Sequence, residues 1–284
     1  MGLLYVQIIM WFLYTVSSRI NPYPDITDEK FINDCVRFHN DNRSSVNPPA
    51  SNMLYMTWDE GLAVTARAWA RHCVFRYNIY ENDVKRLHPV FTPVGENLWV
   101  RSLPRAFNVK LAIRSWVDEG KYYDYETDVC QEGKMCGNYK QVVWATSYKV
   151  GCAVQKCPNG VKAISFKAEA IFVCNYATAG NYYGEKPYQE GKACSACKDA
   201  NDQCQNKLCH NQMRDRLKSY YWMPDWDTAL VPKDPSLTTE DPFLATGDNA
   251  LTMCIASSIS VMPLRPLPLF LTFVTAFREY LISL

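Results

Sequence analysis

The 284-residue sequence has no excess of charge of either sign. Thirty Lys and Arg stand against twenty-nine Asp and Glu, which gives a formal net charge of +1. A protein that binds nucleic acid through its phosphates needs a basic surface, so we expect no nucleic-acid partner. With 48% hydrophobic and 21% charged residues, the composition also excludes an intrinsically disordered chain.

Catalytic signatures are missing as well. The chain has four histidines, and no pair of them forms the H-E-x-x-H motif of zinc proteases. The G-x-S-x-G motif of serine hydrolases and the glycine-rich loops that bind phosphate are also absent. The sequence therefore offers little support for a standard hydrolase or a nucleotide-dependent enzyme.

No apolar run is long enough to span a bilayer without interruption. The first, Leu3 to Val16, has fourteen residues, whereas a membrane helix needs roughly 20. Small residues at Ser17 and Ser18 follow it, which is typical of a signal-peptide cleavage site. We predict a signal peptide at residues 1–18 rather than a membrane anchor, and Asn42 then becomes a candidate glycosylation site.

A second apolar stretch lies at the C-terminus. Leu267 to Phe277 supplies eleven mostly apolar residues, and extending the run back through Ile255 takes in Arg265 and three prolines. Small residues near Ser257 suit attachment of a lipid anchor instead. We predict an apolar tail at residues 254–284 that is a candidate membrane anchor. The sequence leaves open whether it spans, is replaced by a lipid anchor, or stays in solution.

Cysteine is abundant, with twelve residues, which indicates an oxidising compartment. Cys194, Cys197, Cys204 and Cys209 lie within sixteen polar residues. This spacing suits a zinc knuckle or two disulfides, and a secretory route favours the disulfides. We place a cysteine-rich hinge module at residues 190–210. The prolines of the next segment predict an extended linker at residues 211–253.

The remaining pattern predicts helices followed by strands. Thr27, Asn108 and a capping box that begins at Thr57 predict three helix starts. The apolar positions of these helices are Phe31, Ile32, Cys35, Val36 and His39; Leu62, Ala66, Trp69 and Cys73; and Val109, Ala112, Ile113 and Trp116. Predicted strands are Gln141 to Ala145, Val150 to Val154 and Ala170 to Tyr176, the first two forming a hairpin. We predict an α+β domain with a small antiparallel sheet over residues 25–185.

Two glutamates stand among apolar neighbours. Glu119 falls on the stripe of the third predicted helix, and Glu96 follows a glycine in an apolar segment. A half-buried pair of this kind either faces a cleft, as acid and base, or accepts hydrogen bonds from the backbone. The sequence leaves both interpretations open.

Four segments resemble the signatures of the CAP superfamily of cysteine-rich secretory, antigen 5 and pathogenesis-related proteins. They are Trp58-Asp59, Gly95 to Trp99, Gly137 to Trp144 and Phe172 to Tyr176. The resemblance covers about residues 25–210 and is greatest for the glioma pathogenesis-related-1-like branch. It implies a three-layer α-β-α sandwich followed by the disulfide-rich hinge module.

The resemblance also implies a cleft with two glutamates and two histidines that binds a divalent ion. Glu96 and Glu119 match the acidic pair, but Tyr77 and Asn138 stand where the family has its histidines. A phenol and an amide are poor zinc ligands, so we expect no metal and no cofactor. We expect Tyr77 and Asn138 to donate hydrogen bonds to the two glutamates. An imidazole brought there by folding, from His72 or His88, would reverse this expectation.

The family pattern further implies five disulfides. They are Cys73–Cys157, Cys130–Cys136 and Cys152–Cys174 in the sandwich, and Cys194–Cys204 and Cys197–Cys209 in the hinge module. Cys35 and Cys254 remain over. We expect Cys35 to be a small buried hydrophobe.

Some family members bind sterols or fatty acids through a loop that corresponds here to Lys121 to Met135. Tyr122, Tyr123 and Tyr125 on this loop either cover an apolar ligand or pack against the sandwich. We predict a non-catalytic CAP protein, secreted or at the cell surface, that binds a sterol, a fatty acid or a cell-surface protein. The alternative is a divalent-metal-dependent hydrolase that uses Glu96 and Glu119.

Overall fold

The computed structural model describes residues 23–80, 83, 85–102 and 107–227. All of them belong to the first of two units into which the chain divides, Met1–Lys233. The predicted signal peptide, the part of the linker after residue 227 and the apolar tail, with Cys254, lie outside the described residues. No helix in the described ranges is long and apolar enough to cross a membrane.

Three main helices form where the sequence predicts them, although two of the caps differ. Helix α1 is Glu29–Arg43, α2 is Glu60–Ala70 and α3 is Val109–Val117. Asn108 caps α3 as predicted, by accepting from the Leu111 amide at 3.1 Å. The predictions of Thr27 and Thr57 as caps are wrong, because Asp28 and Asp59 accept the bonds from the helix amides. An ionised carboxylate is favoured there by the helix dipole.

Four strands form the central sheet in the order β1-β5-β6-β2. They are β1 Thr57–Trp58, β2 Gly95–Arg101, β5 Lys149–Lys156 and β6 Ala170–Ala177. Strand β6 runs antiparallel to both β5 and β2, whereas β1 runs parallel to β5. The predicted strands at Val150 to Val154 and Ala170 to Tyr176 are confirmed, and they pair with each other.

The predicted strand at Gln141 to Ala145 is wrong. Residues Gly137–Val142 form a short helix, α4. Two further strands, β3 Tyr123–Asp124 and β4 Val129–Cys130, make a small hairpin after a 3-10 helix at Asp118–Tyr122. Apolar runs of a few residues do not distinguish a buried strand from a buried helix, which explains the error.

The sheet lies between two helical layers. On one side, Phe172 stacks on Trp116 of α3 and packs edge-on against Phe31 of α1. On the other side, α2 packs across β5 and β6. A Cβ atom at Gly151 would lie 2.1 Å from the Ala63 amide nitrogen, so this close approach requires glycine. Cys35 is buried in this core as a free thiol, as expected.

The hinge module is fixed to the domain by backbone hydrogen bonds. It contains the hairpin of β7 Gln203–Gln205 and β8 Leu208–His210. The Cys209 amide donates to the Met53 carbonyl at 2.8 Å, and the Tyr55 amide donates to the Cys209 carbonyl at 2.9 Å. The module therefore extends the compact domain.

The prediction of a linker is wrong for its first part, residues 211–227. Residues 211–227, which we call the C-terminal strap, contain helix α5 Gln212–Asp215 and pack against the domain. Trp226 stacks on Tyr80, and Asp227 forms an ion pair with Arg71 at 2.7 Å. Prolines suggested an extended linker, but aromatic side chains and a buried carboxylate hold this stretch in place.

Candidate functional site

Glu119 is bound to the start of helix α4. Its Oε2 atom accepts from the amides of Asn138 and Tyr139 at 3.0 and 3.2 Å. Its Oε1 atom accepts from Nδ2 of Asn138 at 2.7 Å, which confirms the hydrogen bond expected between these two side chains. Because no side chain within α4 caps its first turn, Glu119 supplies the negative charge that a helix N-terminus favours.

The local backbone brings Glu119 close to α4. It lies on the 3-10 helix that follows α3, rather than on the stripe of α3 itself. A Cβ atom at Gly120 would lie 2.8 Å from the ring of Tyr139, so only glycine allows this approach.

Glu96 lies on strand β2 and is 9% exposed. Its Oε1 atom accepts from the Asn78 amide at 2.8 Å, and its Oε2 atom accepts from Nδ2 of Asn175 at 3.1 Å. Asn175 faces Glu96 across the β2–β6 pair. Tyr77, the other predicted cleft residue, precedes Asn78 and is 55% exposed.

Strand β2 and helix α4 meet between the two glutamates. Asn97 donates from Nδ2 to the Asn138 carbonyl at 3.0 Å, and Gln141 packs against Gly95. Three buried amide atoms in this region have no hydrogen-bond partner among the described residues: Nδ2 of Asn78, Oδ1 of Asn138 and Oδ1 of Asn175. The cleft is therefore lined by carboxylates and amides.

The four histidines have partners elsewhere. His88 Nε2 lies 3.0 Å from Oδ1 of Asp59, and its Nδ1 accepts from the Val90 and Phe91 amides. His39 lies between the Cys35 carbonyl and the Tyr176 hydroxyl. His72 packs against Trp69 and Trp226, and His210 against Tyr55. Neither His72 nor His88 thus supplies the imidazole that would have reversed the expectation.

The side chains of this cleft do not fit zinc. Asn138 offers an amide donor to Glu119 where a nitrogen lone pair would be needed. Within the described ranges, the only group of three His, Cys, Asp or Glu spaced to hold a metal is Cys194, Cys197 and Cys209. These sulfurs already take part in disulfides, so the zinc-knuckle interpretation of the hinge module does not describe this structure.

The loop predicted to bind lipid is the β3–β4 hairpin and its flanks. Tyr125 is buried, stacks on Tyr188 at 4.8 Å and donates to the Tyr188 carbonyl at 2.8 Å. Tyr123 donates to Asp128 at 2.6 Å, and burial raises the pKa of the Tyr123 phenol above its ordinary value. The ammonium groups of Lys121 and Lys134 lie 4.8 and 4.9 Å from the centre of the Tyr122 ring. Of the two interpretations left open for these rings, packing against the sandwich is the correct one for Tyr125.

A surface groove runs beside this hairpin, with a volume of about 770 Å³. Tyr123, Val129 and the Cys130–Cys136 disulfide form one wall. Tyr182 and Tyr183 on the loop after β6 form the other, and Lys134 and Lys140 also line the groove. Tyr182 and Tyr183 were not predicted as site residues, although two adjacent aromatic residues before Gly184 offered a signal.

The described chain contains all five disulfides that the resemblance implied. Asn42, the predicted glycosylation residue, lies in the last turn of α1 and is half-buried. Its Nδ2 atom, which would carry the glycan, donates to the Phe38 carbonyl at 2.6 Å. Glycosylation at Asn42 stays a prediction.

The fold, the two glutamates and the disulfides define a class of protein. Residues 36–176 match the family described as "Cysteine-rich secretory protein family", and relatives cover most of the chain, so this protein belongs to the CAP family. The solved structure of BmVAL-1 has the same fold, with a TM-score of 0.51 over 68% of this chain and 96% of that one at 22% identity.

Among its relatives is Glioma pathogenesis-related protein 1 of Mus musculus, 46% identical over 82% of this chain and 87% of the relative. GLIPR1-like protein 1 of Bos taurus is 45% identical over 78% of this chain and 90% of that relative's chain. GLIPR1-like protein 1 of Homo sapiens is 43% identical over 81% of this chain and 88% of its own. The resemblance to this branch is confirmed.

Proposed function

We propose that this protein is a non-catalytic, extracellular binding protein whose ligand is a sterol or a fatty acid. The observation that carries the proposal is the aromatic groove between the β3–β4 hairpin and the loop at residues 181–184. Binding of a cell-surface protein is the other outcome that the experiment below distinguishes.

The hydrogen bonds of the two glutamates favour binding over catalysis. Glu119 accepts three hydrogen bonds, two of them from backbone amides of α4. Glu96 accepts from a backbone amide and from Asn175. A general base directs a lone pair at substrate, whereas these carboxylates accept from protein donors that fix a loop and a helix end. These contacts argue against the alternative of a metal-dependent hydrolase.

The groove has the chemistry of an apolar ligand site. Val129 is 56% exposed and Tyr183 is fully exposed, so both leave apolar surface that a ligand would cover. The Cys130–Cys136 disulfide holds the hairpin wall, which lowers the entropy lost on binding.

The lysines that line the groove suit the polar end of a fatty acid. Lys140 forms an ion pair with Asp128 at 2.6 Å, whereas Lys134 has no ion-pair partner among the described residues. Lys134 can therefore pair with a carboxylate, and a sterol would bind through its apolar body alone. The five disulfides support an extracellular location, because such bonds persist in oxidising compartments.

Binding of radiolabelled cholesterol and of palmitate to the purified protein tests this proposal. Val129→Ser combined with Tyr183→Ser should weaken binding by about tenfold or more, because each change removes apolar contact area. Leu111→Ser, at an exposed position on α3, is the matched control and should bind like the wild type. Lys134→Gln should weaken binding of palmitate more than binding of cholesterol.

Equal binding by the groove variant and the wild type would remove the groove from the proposal. No binding of either lipid, together with capture of the protein by a cell surface that the groove variant loses, would favour a protein partner. Tyr125→Ala is a poor test, because it breaks buried packing against Tyr188.

A further inference from the structure

The C-terminal strap exposes an unusual number of large apolar side chains. Met213 and Leu217 are each 73% exposed, Tyr221 is fully exposed and Met223 is 45% exposed. Four of the thirteen exposed large apolar residues in the described ranges thus fall within eleven consecutive positions. Clustered exposure of this kind marks an interaction site, whereas single exposed residues do not.

These residues project from a segment that is fixed on its inner side. Tyr220 donates from its hydroxyl to Asp59 at 3.1 Å and packs against the His88 ring. Trp226 stacks on Tyr80 and donates from Nε1 to the Arg86 carbonyl at 2.9 Å. Because Tyr220 is held inward, its neighbour Tyr221 points outward, and the apolar outer side is a stable feature of the surface.

The free charges on the outer side are positive. Arg216 and Lys218 are exposed, and neither forms an ion pair with a described residue. The acidic groups of the strap all take part in ion pairs: Asp215 with Arg214, Asp225 with Arg86 and Asp227 with Arg71. The outer side therefore combines unpaired cations with Met, Leu and Tyr side chains.

Two exposed residues of the domain adjoin the strap. Ile79, 73% exposed, precedes Tyr80, whose ring stacks on Trp226. Val90, 61% exposed, donates from its amide to His88, which contacts Tyr220. Two further exposed apolar side chains thus lie in segments that contact the inner side of the strap.

We propose that the outer side of the strap docks on a membrane that contains anionic phospholipid. Arg and Lys attract acidic headgroups, while Leu, Met and Tyr insert at the level of the headgroups. The chain continues for 57 residues after Asp227 and includes the predicted apolar tail at residues 254–284. The strap is therefore the described element that lies nearest to this candidate anchor along the chain. This docking does not depend on the lipid groove.

Vesicle co-sedimentation of the full-length, disulfide-bonded protein tests the proposal. The vesicles are phosphatidylcholine alone, or phosphatidylcholine mixed with phosphatidylserine, without sterol or free fatty acid. The strap variant carries Arg216→Glu, Leu217→Ser, Lys218→Glu and Tyr221→Ser. The matched control carries Lys110→Glu and Leu111→Ser on α3, and every protein keeps the same tail.

We expect the wild type and the control to bind the phosphatidylserine vesicles equally, and added salt to weaken that binding. The strap variant should bind them at least about tenfold more weakly, since each basic residue near an anionic surface contributes several-fold. Circular dichroism spectra and melting temperatures equal to those of the wild type would show that the variant is folded.

Equal binding by the strap variant and the wild type would overturn the proposal, because the tail alone would then carry the affinity. Wild-type binding that is indifferent to phosphatidylserine would also overturn it. Self-association of the wild type without vesicles, lost in the strap variant, would instead assign this surface to contacts between copies of the chain.

Discussion

At the scale of single residues, the side chain at position 138 decides the chemistry of the cleft. Asn138 donates its amide hydrogen to Glu119 at 2.7 Å, so the carboxylate meets a hydrogen-bond donor. A neutral imidazole can present a lone pair to a metal, whereas this Nδ2 atom cannot. The amide at this position therefore favours a carboxylate that caps a helix over one that ligates an ion.

Zinc titration of the purified protein tests this account. We expect no sub-micromolar affinity for the wild type, because two carboxylates without nitrogen donors bind zinc weakly. Asn138→His combined with Tyr77→His should raise the affinity at least about tenfold by calorimetry.

Adding Glu96→Gln and Glu119→Gln to that double variant should abolish the gain. Sub-micromolar zinc binding by the wild type, lost in Glu96→Gln with Glu119→Gln, would contradict the account.

His39 makes stability depend on pH. Burial lowers the pKa of His39 to about 4 from an ordinary value of 6.5. Between these two values His39 is protonated in the unfolded chain but neutral in the folded chain. The free energy of unfolding therefore falls as the pH drops. We expect a loss of about 2 kcal/mol from this group between about pH 7 and pH 5.

Urea unfolding at several pH values measures this dependence. His39→Gln should flatten the slope in that range, because Gln does not titrate. An unchanged slope in His39→Gln would exclude His39 as its source.

At the scale of secondary structure, local sequence signals determined some elements and tertiary contacts determined others. The apolar positions predicted for α3 are correct: Val109, Ala112, Ile113 and Trp116 are all buried. The strand predicted at Gln141 to Ala145 was wrong because the secondary structure of this short apolar run depends on its tertiary contacts. Glu119, distant in sequence, caps α4 and makes the helix the favourable choice.

The close contact between α2 and the sheet predicts that a methyl group added at Gly151 destabilises the protein. In Gly151→Ala, the new Cβ would lie 2.1 Å from the Ala63 nitrogen and 2.5 Å from the Leu62 carbonyl carbon. Backbone cannot move aside cheaply, so we expect a loss of about 3 kcal/mol in the free energy of unfolding.

Gly137→Ala is the matched control, because its nearest neighbour would be 3.9 Å away. Denaturant unfolding should show a change of under about 1 kcal/mol for the control. A similarly small loss for Gly151→Ala would mean that α2 lies farther from β5.

At the scale of the whole molecule, residues beyond the sandwich are part of its stability. The hinge module binds the segment around Met53 and Tyr55, and the strap returns to the end of α2. Both attachments join residues more than a hundred positions apart. The strap was predicted to be part of a linker because the composition shows its prolines but not the distant residues that it contacts.

The ion pair between Arg71 and Asp227 gives a direct test of the strap. The Asp227 side chain is fully buried, and its two oxygens lie 2.7 and 2.8 Å from Nη1 of Arg71. Asp227→Asn should weaken strap attachment by about 2 kcal/mol, because a charged hydrogen bond is lost.

Limited trypsin digestion should then cut after Arg216 or Lys218 at least about tenfold faster, as local opening becomes more frequent. Asp225→Asn, at a side chain that is 72% exposed, should digest like the wild type. Equal rates for both variants would show that the pair does not secure the strap.

The sequence alone determined the features that depend on residue type and local spacing. These were the α+β class, the stripes of the main helices, strands β5 and β6 and, through family signatures, the five disulfides and the identities of the cleft residues. Only the tertiary structure decided what those residues do. It decided that a carboxylate caps a helix, that Tyr125 faces the core and that residues 211–227 pack against the domain. Each of these outcomes depends on atoms brought together from distant parts of the chain. A local sequence pattern carries no information about such partners.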